Sequence, residues 1–416
     1  MYLIKWIKKN DDLWLFIIFV LAISIRLFYV TELRNILGAV DITNPDSWAY
    51  HRLALNLLYR GDYGRDLLRP PLYSHFLFVN YLLFGISWKA VRIIQAIINS
   101  LTCVILALTG KNLYSKKVGL FAGLGSALYP FFILQTGEIL TETLFLFLFS
   151  SFVFFLLSLH DTGEKSYAVL SGMTLGVTIL CRAAAIILPP VLIVWFLIFS
   201  SGPFSRRVRQ LFLTLVCMAL VIAPWTMRNY LVLNRFIPVT TMGGWNFWMG
   251  FSKFAELEYL QENNAQAEVL LNELFRERNR NFDRPESLYY QKGLNYIRNH
   301  PQNALRLMIK KLMFFWNIRF PENYGWLQII RHFILYIILP LLGIGGLFLF
   351  ASTNKAKFFL FFLFFLFFSL VHMVSVSYFR YRIPLIDPYL IVFASFLLTH
   401  VLSLMGKGKK YEDFDH

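Results

Sequence analysis

The sequence predicts an all-α protein that crosses a membrane about ten times. Three observations carry the prediction. Apolar runs at 13–30, 118–134, 140–159, 211–225, 333–350, 358–374 and 384–404 reach or approach the roughly 20 residues a membrane helix needs. Charged residues are 15% of the chain, against roughly 25% in a soluble globular protein. With 57% hydrophobic residues and a mean hydropathy of +0.55, this much apolar surface does not fit inside one soluble core.

Basic loops, which collect on the cytoplasmic side, fix the order of the elements. They are Lys5, Lys8 and Lys9, then 111–117, 206–209, 355–357 and 407–410. The run 13–30 therefore leaves the cytoplasm. No small-residue cleavage site follows it, so it reads as a retained span rather than a signal peptide. The segment 31–70 becomes a first outer loop. Residues 71–85 are short for a span and read as a helix dipping into the outer leaflet. Residues 88–109 return to the inside. Two hairpins follow, 118–134 with 140–159 and 168–180 with 186–199, the second turning near Arg182. The run 211–225 goes out, the hydrophilic stretch 228–331 stays outside, and 333–350, 358–374 and 384–404 bring the tail in. The expected organisation is an N-terminal membrane module (1–227), an extracytoplasmic loop domain (228–331) and a C-terminal membrane segment with its tail (332–416), both termini cytoplasmic, in the plasma membrane.

Within the loop domain, Gly243-Gly244 predicts a tight turn. Helices are expected over 253–279 and 286–299. His300-Pro301 ends the second, and 302–316 reads as an interfacial helix with Lys310 and Lys311 toward headgroups and Phe314–Trp316 as anchors. Trp245 and Trp248 read as interface anchors, with a sugar-stacking surface as the other reading. The Phe-rich stretch 358–368 reads as lipid-facing.

Composition also excludes functions. The formal charge of +16 follows from the basic loops and gives no ground for a nucleic-acid partner. Cys103, Cys181 and Cys217 lie in apolar stretches and form no disulfide or metal pattern. No His/Asp/Glu cluster has metal spacing, so neither metal nor cofactor is predicted; a loosely held divalent ion is left open.

Polar residues beside apolar helices gather on the expected outer side. They are Asp46, Tyr50, Arg69 and Tyr73; Glu138 and Glu142, four apart and so on one helix face; Arg182; Arg228; and Arg380 and Arg382, which point the same way if their segment is extended. An ionisable group within a span costs about 2.5–3.5 kcal/mol even on the mild scale and so usually has a role. Arginine forks suit phosphate, and an acid in the same cleft can take a proton. A cleft at membrane level admits a substrate arriving through lipid. These features together point to displacement at a sugar carbon with a lipid phosphate leaving, its charge met by arginine. Plainer readings stand beside each: Asp46 as a helix N-cap, Glu142 in an ion pair with Arg182 or Arg69, Arg69 snorkelling to headgroups.

Several stretches also resemble the GT-C glycosyltransferases, in particular the protein-mannosyltransferase and aminoarabinose-transferase-like families. They are Asp46-Ser47-Trp48-Ala49-Tyr50, Arg69-Pro70-Pro71-Leu72-Tyr73, Leu140-Thr141-Glu142, Ala223-Pro224-Trp225-Thr226-Met227-Arg228-Asn229, Gly243-Gly244-Trp245-Asn246 and Tyr378-Phe379-Arg380-Tyr381-Arg382. The resemblance implies inverting transfer of a hexose or pentose from a polyprenyl-phosphate donor to a lipid, glycan or protein acceptor. It implies Asp46 as base, Glu142 as a second acid, Arg69 on the carrier phosphate and a basic residue at Arg182. Tyr50, Tyr73, Glu138, Arg228, Asn246, Arg380 and Arg382 join them as substrate-binding candidates. Asp41 lies five residues before Asp46, so the base assignment between the two stays open. The competing reading is a transporter or flippase of a lipid-linked glycan precursor. Against it, no internal repeat is evident and the polar groups sit at one face.

Overall fold

The computed structural model describes residues 12–38, 44–65, 67–261, 264–280, 284–318, 329 and 332–412. Asp41, Lys5, Lys8 and Lys9 lie outside them, as do the side chains of 407–410. Among the described residues every regular element is helical. Six helices are long and apolar enough to cross a membrane: Leu13–Ile36, Trp88–Leu113, Glu142–Thr162, Phe204–Leu233, Lys355–Val374 and Asp387–Met405. A bent pair, Lys116–Leu128 and Pro130–Thr136, meeting at 52°, brings the number to seven if its two helices are counted as one span. The bend has a local cause. Tyr129 precedes a proline and takes an extended conformation, φ −66° and ψ 115°, as steric contact with the proline ring demands. Three shorter apolar helices, Lys165–Cys181, Ala183–Phe199 and Tyr336–Phe350, stand where the remaining expected spans lie. Pro71–Phe84 forms a 14-residue helix.

The helices pack through small residues and aromatic rings. A Cβ on Gly346 would collide with the Phe393 carbonyl oxygen, so this glycine sets how closely Leu339–Phe350 approaches the last helix. The Phe-rich helix departs from its expected lipid-facing role. Phe361, Phe364 and Phe368 are fully buried, and Phe149 lies 5.8 Å from both Phe364 and Phe368 between ring centroids. These three phenylalanines are three and four residues apart, as one face of a 3.6-residue period requires.

Arg26, in the middle of the first span, is also fully buried. It donates to Asn99 Oδ1 at 2.7 Å and to the carbonyls of Ala22, Ala127 and Ser126 at 3.0–3.2 Å. One guanidinium thus holds three helices where no water could satisfy it.

Charged groups segregate between the two ends of the bundle. At one end Lys111 meets Asp12 at 3.7 Å, and Lys357 meets Asp161 at 2.8 Å and donates to Asn112 Oδ1 at 3.5 Å, so the loops around 111 and 355 converge. The acid–arginine cluster occupies the other end, with the loop domain. That domain packs Met242, Trp245, Met249 and Tyr289 into its own core. Trp245 is therefore an interior residue there, not an interface anchor. Gly243 and Gly244 open the helix Gly243–Met249 instead of forming a turn; a Cβ on Gly244 would meet the Glu286 carbonyl oxygen at 2.5 Å, so close helix approach is what requires glycine here. Lys311 also departs from expectation. It is fully buried, donates to the Gly250 carbonyl at 2.8 Å and sits 4.0 Å from the Phe251 ring centroid.

Candidate active site

Asp46 lies in the helix Pro45–Arg60, yet it does not cap it. Asn44 takes that place, its side chain accepting from the Asp46 backbone N–H at 2.9 Å. The Asp46 carboxylate is thereby released to face inward. Its two oxygens meet Arg69 Nη2 at 2.6 Å and Arg380 Nη2 at 3.0 Å. Burial works to raise the carboxyl pKa, but the charges of Arg69 and Arg380 outweigh it and hold the group below its ordinary value. Burial likewise opposes the charge on Arg380, and Tyr381, Glu142 and Asp46 together overcome it and keep the guanidinium protonated.

Glu142 begins the helix Glu142–Thr162 and faces Arg182 at 3.5 Å. Arg182 sits at the break between Lys165–Cys181 and the following 3-10 turn. Its Nη1 is buried and makes no hydrogen bond. The Tyr381 ring lies between two cations, 4.7 Å from Arg182 and 5.2 Å from Arg380. Behind Glu142, Arg92 Nε donates to the Gly137 carbonyl at 2.9 Å, and Gln95 Nε2 to those of Thr136 and Glu138. These bonds fix the turn from which the Glu142 helix springs.

A cavity of about 910 Å³ connects these groups. Asp46, Tyr50, Arg69, Glu142, Arg182, Asn246 and Arg380 all line it, and apolar side chains such as Ile187, Val371 and Phe379 form much of its wall. Glu286 borders it on the loop-domain side, where its carboxylate accepts from the Gly244 N–H at 3.2 Å. Burial raises the Tyr50 phenol well above its usual pKa, so it stays a neutral donor. Among the described residues no group of three or more His, Cys, Asp or Glu side chains could hold a metal ion.

Four candidates fall outside the cavity lining. Arg382 is fully buried and pairs with Asp387 at 2.8 Å while donating to the Trp316 carbonyl at 2.7 Å. Its segment is the helix Phe379–Leu385, not an extended strand, so it points away from Arg380. Glu138 sits in the turn before the Glu142 helix, and the two acids share no helix face. Tyr73 is buried and donates to Gln95 Oε1 at 2.7 Å, supporting Tyr50 edge-on at 5.1 Å. Arg228 bonds the Gly64 carbonyl and lies over the rings of Tyr63 and Trp225. Tyr381 and His372, which also line the cavity, were not among the expected residues. Only the place of Tyr381 between two arginines offered a signal.

Residues 68–227 match the family described as dolichyl-phosphate-mannose-protein mannosyltransferase. No curated protein sequence matches the chain significantly. Among solved structures, the Archaeoglobus fulgidus oligosaccharyltransferase in the apo form aligns at a TM-score of 0.61 and 14% identity, over 97% of this chain and 52% of its own. The A. fulgidus oligosaccharyltransferase AglB in complex with an inhibitory peptide and a dolichol-phosphate aligns at 0.59 and 15% identity, over 98% of this chain and 52% of its own. ArnT from Cupriavidus metallidurans bound to undecaprenyl phosphate gives 0.46 at 15% identity, over 93% and 78%. The chain spans about half the length of the oligosaccharyltransferases it matches. It has the fold of the GT-C membrane glycosyltransferases, and across 68–227 it also matches the protein-mannosyltransferase family that its motifs resemble.

Proposed function

We propose that the protein transfers a sugar from a polyprenyl-phosphate donor to an acceptor at the extracytoplasmic face of the plasma membrane, with Asp46 as general base. The observation that carries the reading is the Asp46 carboxylate, held between Arg69 and Arg380 in a cavity with apolar walls. An apolar wall suits a prenyl chain, and the guanidiniums suit its phosphate. The bound dolichol-phosphate of the similarly folded AglB agrees with such a donor. Arg182 Nη1 faces the Glu142 carboxylate at 3.5 Å without a hydrogen bond, so it can turn to a phosphate oxygen in the same cavity.

In the reaction an acceptor hydroxyl attacks the anomeric carbon as Asp46 takes its proton. The bond from that carbon to the phosphate oxygen breaks, and the phosphate keeps the electron pair. A single displacement inverts the anomeric configuration. Arg69 and Arg380 exchange the carboxylate for the phosphate when the donor binds, which frees Asp46 to accept the proton. Glu142 orients Arg182, and Asn246 on the loop-domain side contacts the sugar or the acceptor.

The test is Asp46→Asn in the full chain, reconstituted in proteoliposomes with a polyprenyl-phosphate sugar. Transfer should fall by about 10²–10⁴, the worth of a positioned base, with folding unchanged. Near-normal turnover overturns the assignment. Movement of the donor across the bilayer without bond formation replaces it with the transporter reading.

A further inference from the structure

Gln95 stands behind the site, in the helix Trp88–Leu113. It is fully buried and does not line the cavity. Its amide meets two different parts of the protein. Nε2 donates to the carbonyls of Thr136 at 3.1 Å and Glu138 at 2.8 Å, and Oε1 accepts from the Tyr73 hydroxyl at 2.7 Å. Carbonyls only accept, so the nitrogen must face them and the oxygen is left for Tyr73. The amide therefore has one orientation.

Each bond leads to a residue of the site. Thr136 ends the helix Pro130–Thr136, and the turn after it delivers Glu142. The Thr143 hydroxyl ties the start of the Glu142 helix back to the Gln135 carbonyl at 3.1 Å. Tyr73 belongs to the helix Pro71–Phe84 and follows Arg69 by four residues. It supports Tyr50 edge-on at 5.1 Å, and Tyr50 shares a face of the helix Pro45–Arg60 with Asp46, four residues before it. Asp46, Arg69 and Glu142 thus come from three separate elements that meet, behind the cavity, at one side chain. Donors alone would serve the turn, and Arg92 supplies one at Gly137. The Tyr73 hydroxyl requires a group that also accepts, and an amide does both.

We propose that Gln95 is a positioning residue for sugar transfer, holding the elements that carry Asp46 and Arg69 at a fixed offset from the one that carries Glu142. The proposal rests on the transfer reading. In that reaction Arg69 and Arg380 leave the Asp46 carboxylate for the phosphate. The carboxylate then loses its ion pairs, and its place depends on its helix, which leans on Tyr73 through Tyr50.

The test uses the full chain in the same proteoliposome assay. Gln95→Met keeps the side-chain length and removes all three bonds; Tyr73→Phe removes one. Turnover is expressed per site that binds decaprenyl phosphate, so misfolded protein is not counted. Gln95→Met should lower this kcat by about ten- to hundredfold, as a misplacement of reacting groups by about 1 Å does, with the donor KM within about threefold. Tyr73→Phe should lower it by at least about threefold, the net worth of one hydrogen bond. The double variant should be no slower than Gln95→Met, because the two single changes break a shared bond. A merely structural role reduces the number of binding sites and leaves kcat per site unchanged. That result, or additive losses in the double variant, overturns the proposal. If Gln95→Met does not fold, Tyr73→Phe decides: an unchanged kcat per site there overturns it. Asp46→Asn, run alongside, keeps the two readings apart. Normal turnover in that variant sinks the transfer reading and this one with it, whereas lost turnover there with normal kcat in Gln95→Met sinks this one alone.

Discussion

Arg380 and Arg382 stand two residues apart and have different work. A helix turns about 100° per residue, so the segment Phe379–Leu385 sends Arg380 to Asp46 and Arg382 to Asp387. The second pair is fully enclosed, and Tyr129 also donates to Asp387 at 2.6 Å. Removing one partner leaves a buried charge uncompensated, at a cost of about 3–5 kcal/mol. Arg382→Met and Asp387→Asn should each lower thermal stability by that order, and the double variant should lose less than the two singles combined. Additive losses in a double-mutant cycle would show that the pair is not coupled. The same comparison explains what could be read from sequence. Asp46, Arg69, Glu142, Arg182 and Arg380 were legible because each is an ionisable group beside an apolar run, which a membrane protein keeps only for a purpose. Arg382 looked identical by that criterion. Its partner Asp387 is revealed only when the short helix and the start of the last span are both in place. Asp46 was legible as a residue but not as free of capping, since the Asn44 cap depends on backbone geometry.

At the scale of elements, apolar length identified the strongest spans, while the contacts of each face required the fold. Phe358–Phe368 is apolar all round, so hydropathy cannot tell the side that packs on Phe149 from the side that meets lipid. Arg26 was overlooked inside an otherwise uniform span, because its acceptors are carbonyls and an amide on two other helices. Gly346 is similar: nothing local marks it, yet the Phe393 carbonyl fills the space a side chain would take. Gly346→Ala should push Leu339–Phe350 away from Asp387–Glu412 and destabilise the protein by about 1–3 kcal/mol, the usual result of overpacking. Thermal unfolding of the purified variant checks this; an unchanged midpoint would mean the two helices separate freely. Gly244 shows the converse, since a Gly-Gly pair signals a turn by composition but serves helix contact against Glu286 here.

For the whole molecule, Lys311 joins the loop domain to the membrane part. Its amine bonds Gly250, and its backbone carbonyl accepts from Ser377 Oγ at 2.9 Å. Burial lowers the amine pKa from 10.5 to about 7. Between those values the unfolded chain holds a proton that the folded protein lacks, so stability rises with pH across the window, by up to about 1.4 kcal/mol per unit. The penalty is fully present below about pH 7. Melting temperatures of the wild type should therefore climb from pH 7 toward pH 10 relative to Lys311→Met. Parallel curves for the two proteins would place the titration elsewhere. The sequence suggested headgroup contact for this lysine because helical amphipathicity reports an apolar stripe without saying what a second layer of protein covers.

The double grip on Asp46 has one more result for how the protein behaves at rest. A carboxylate neutralised by two guanidiniums is a feeble proton acceptor, so solvent that wanders into the vacant cleft meets no activated partner. Under the transfer reading, only a molecule that brings its own phosphate can draw those arginines aside. Readiness to react then arrives with the cargo itself.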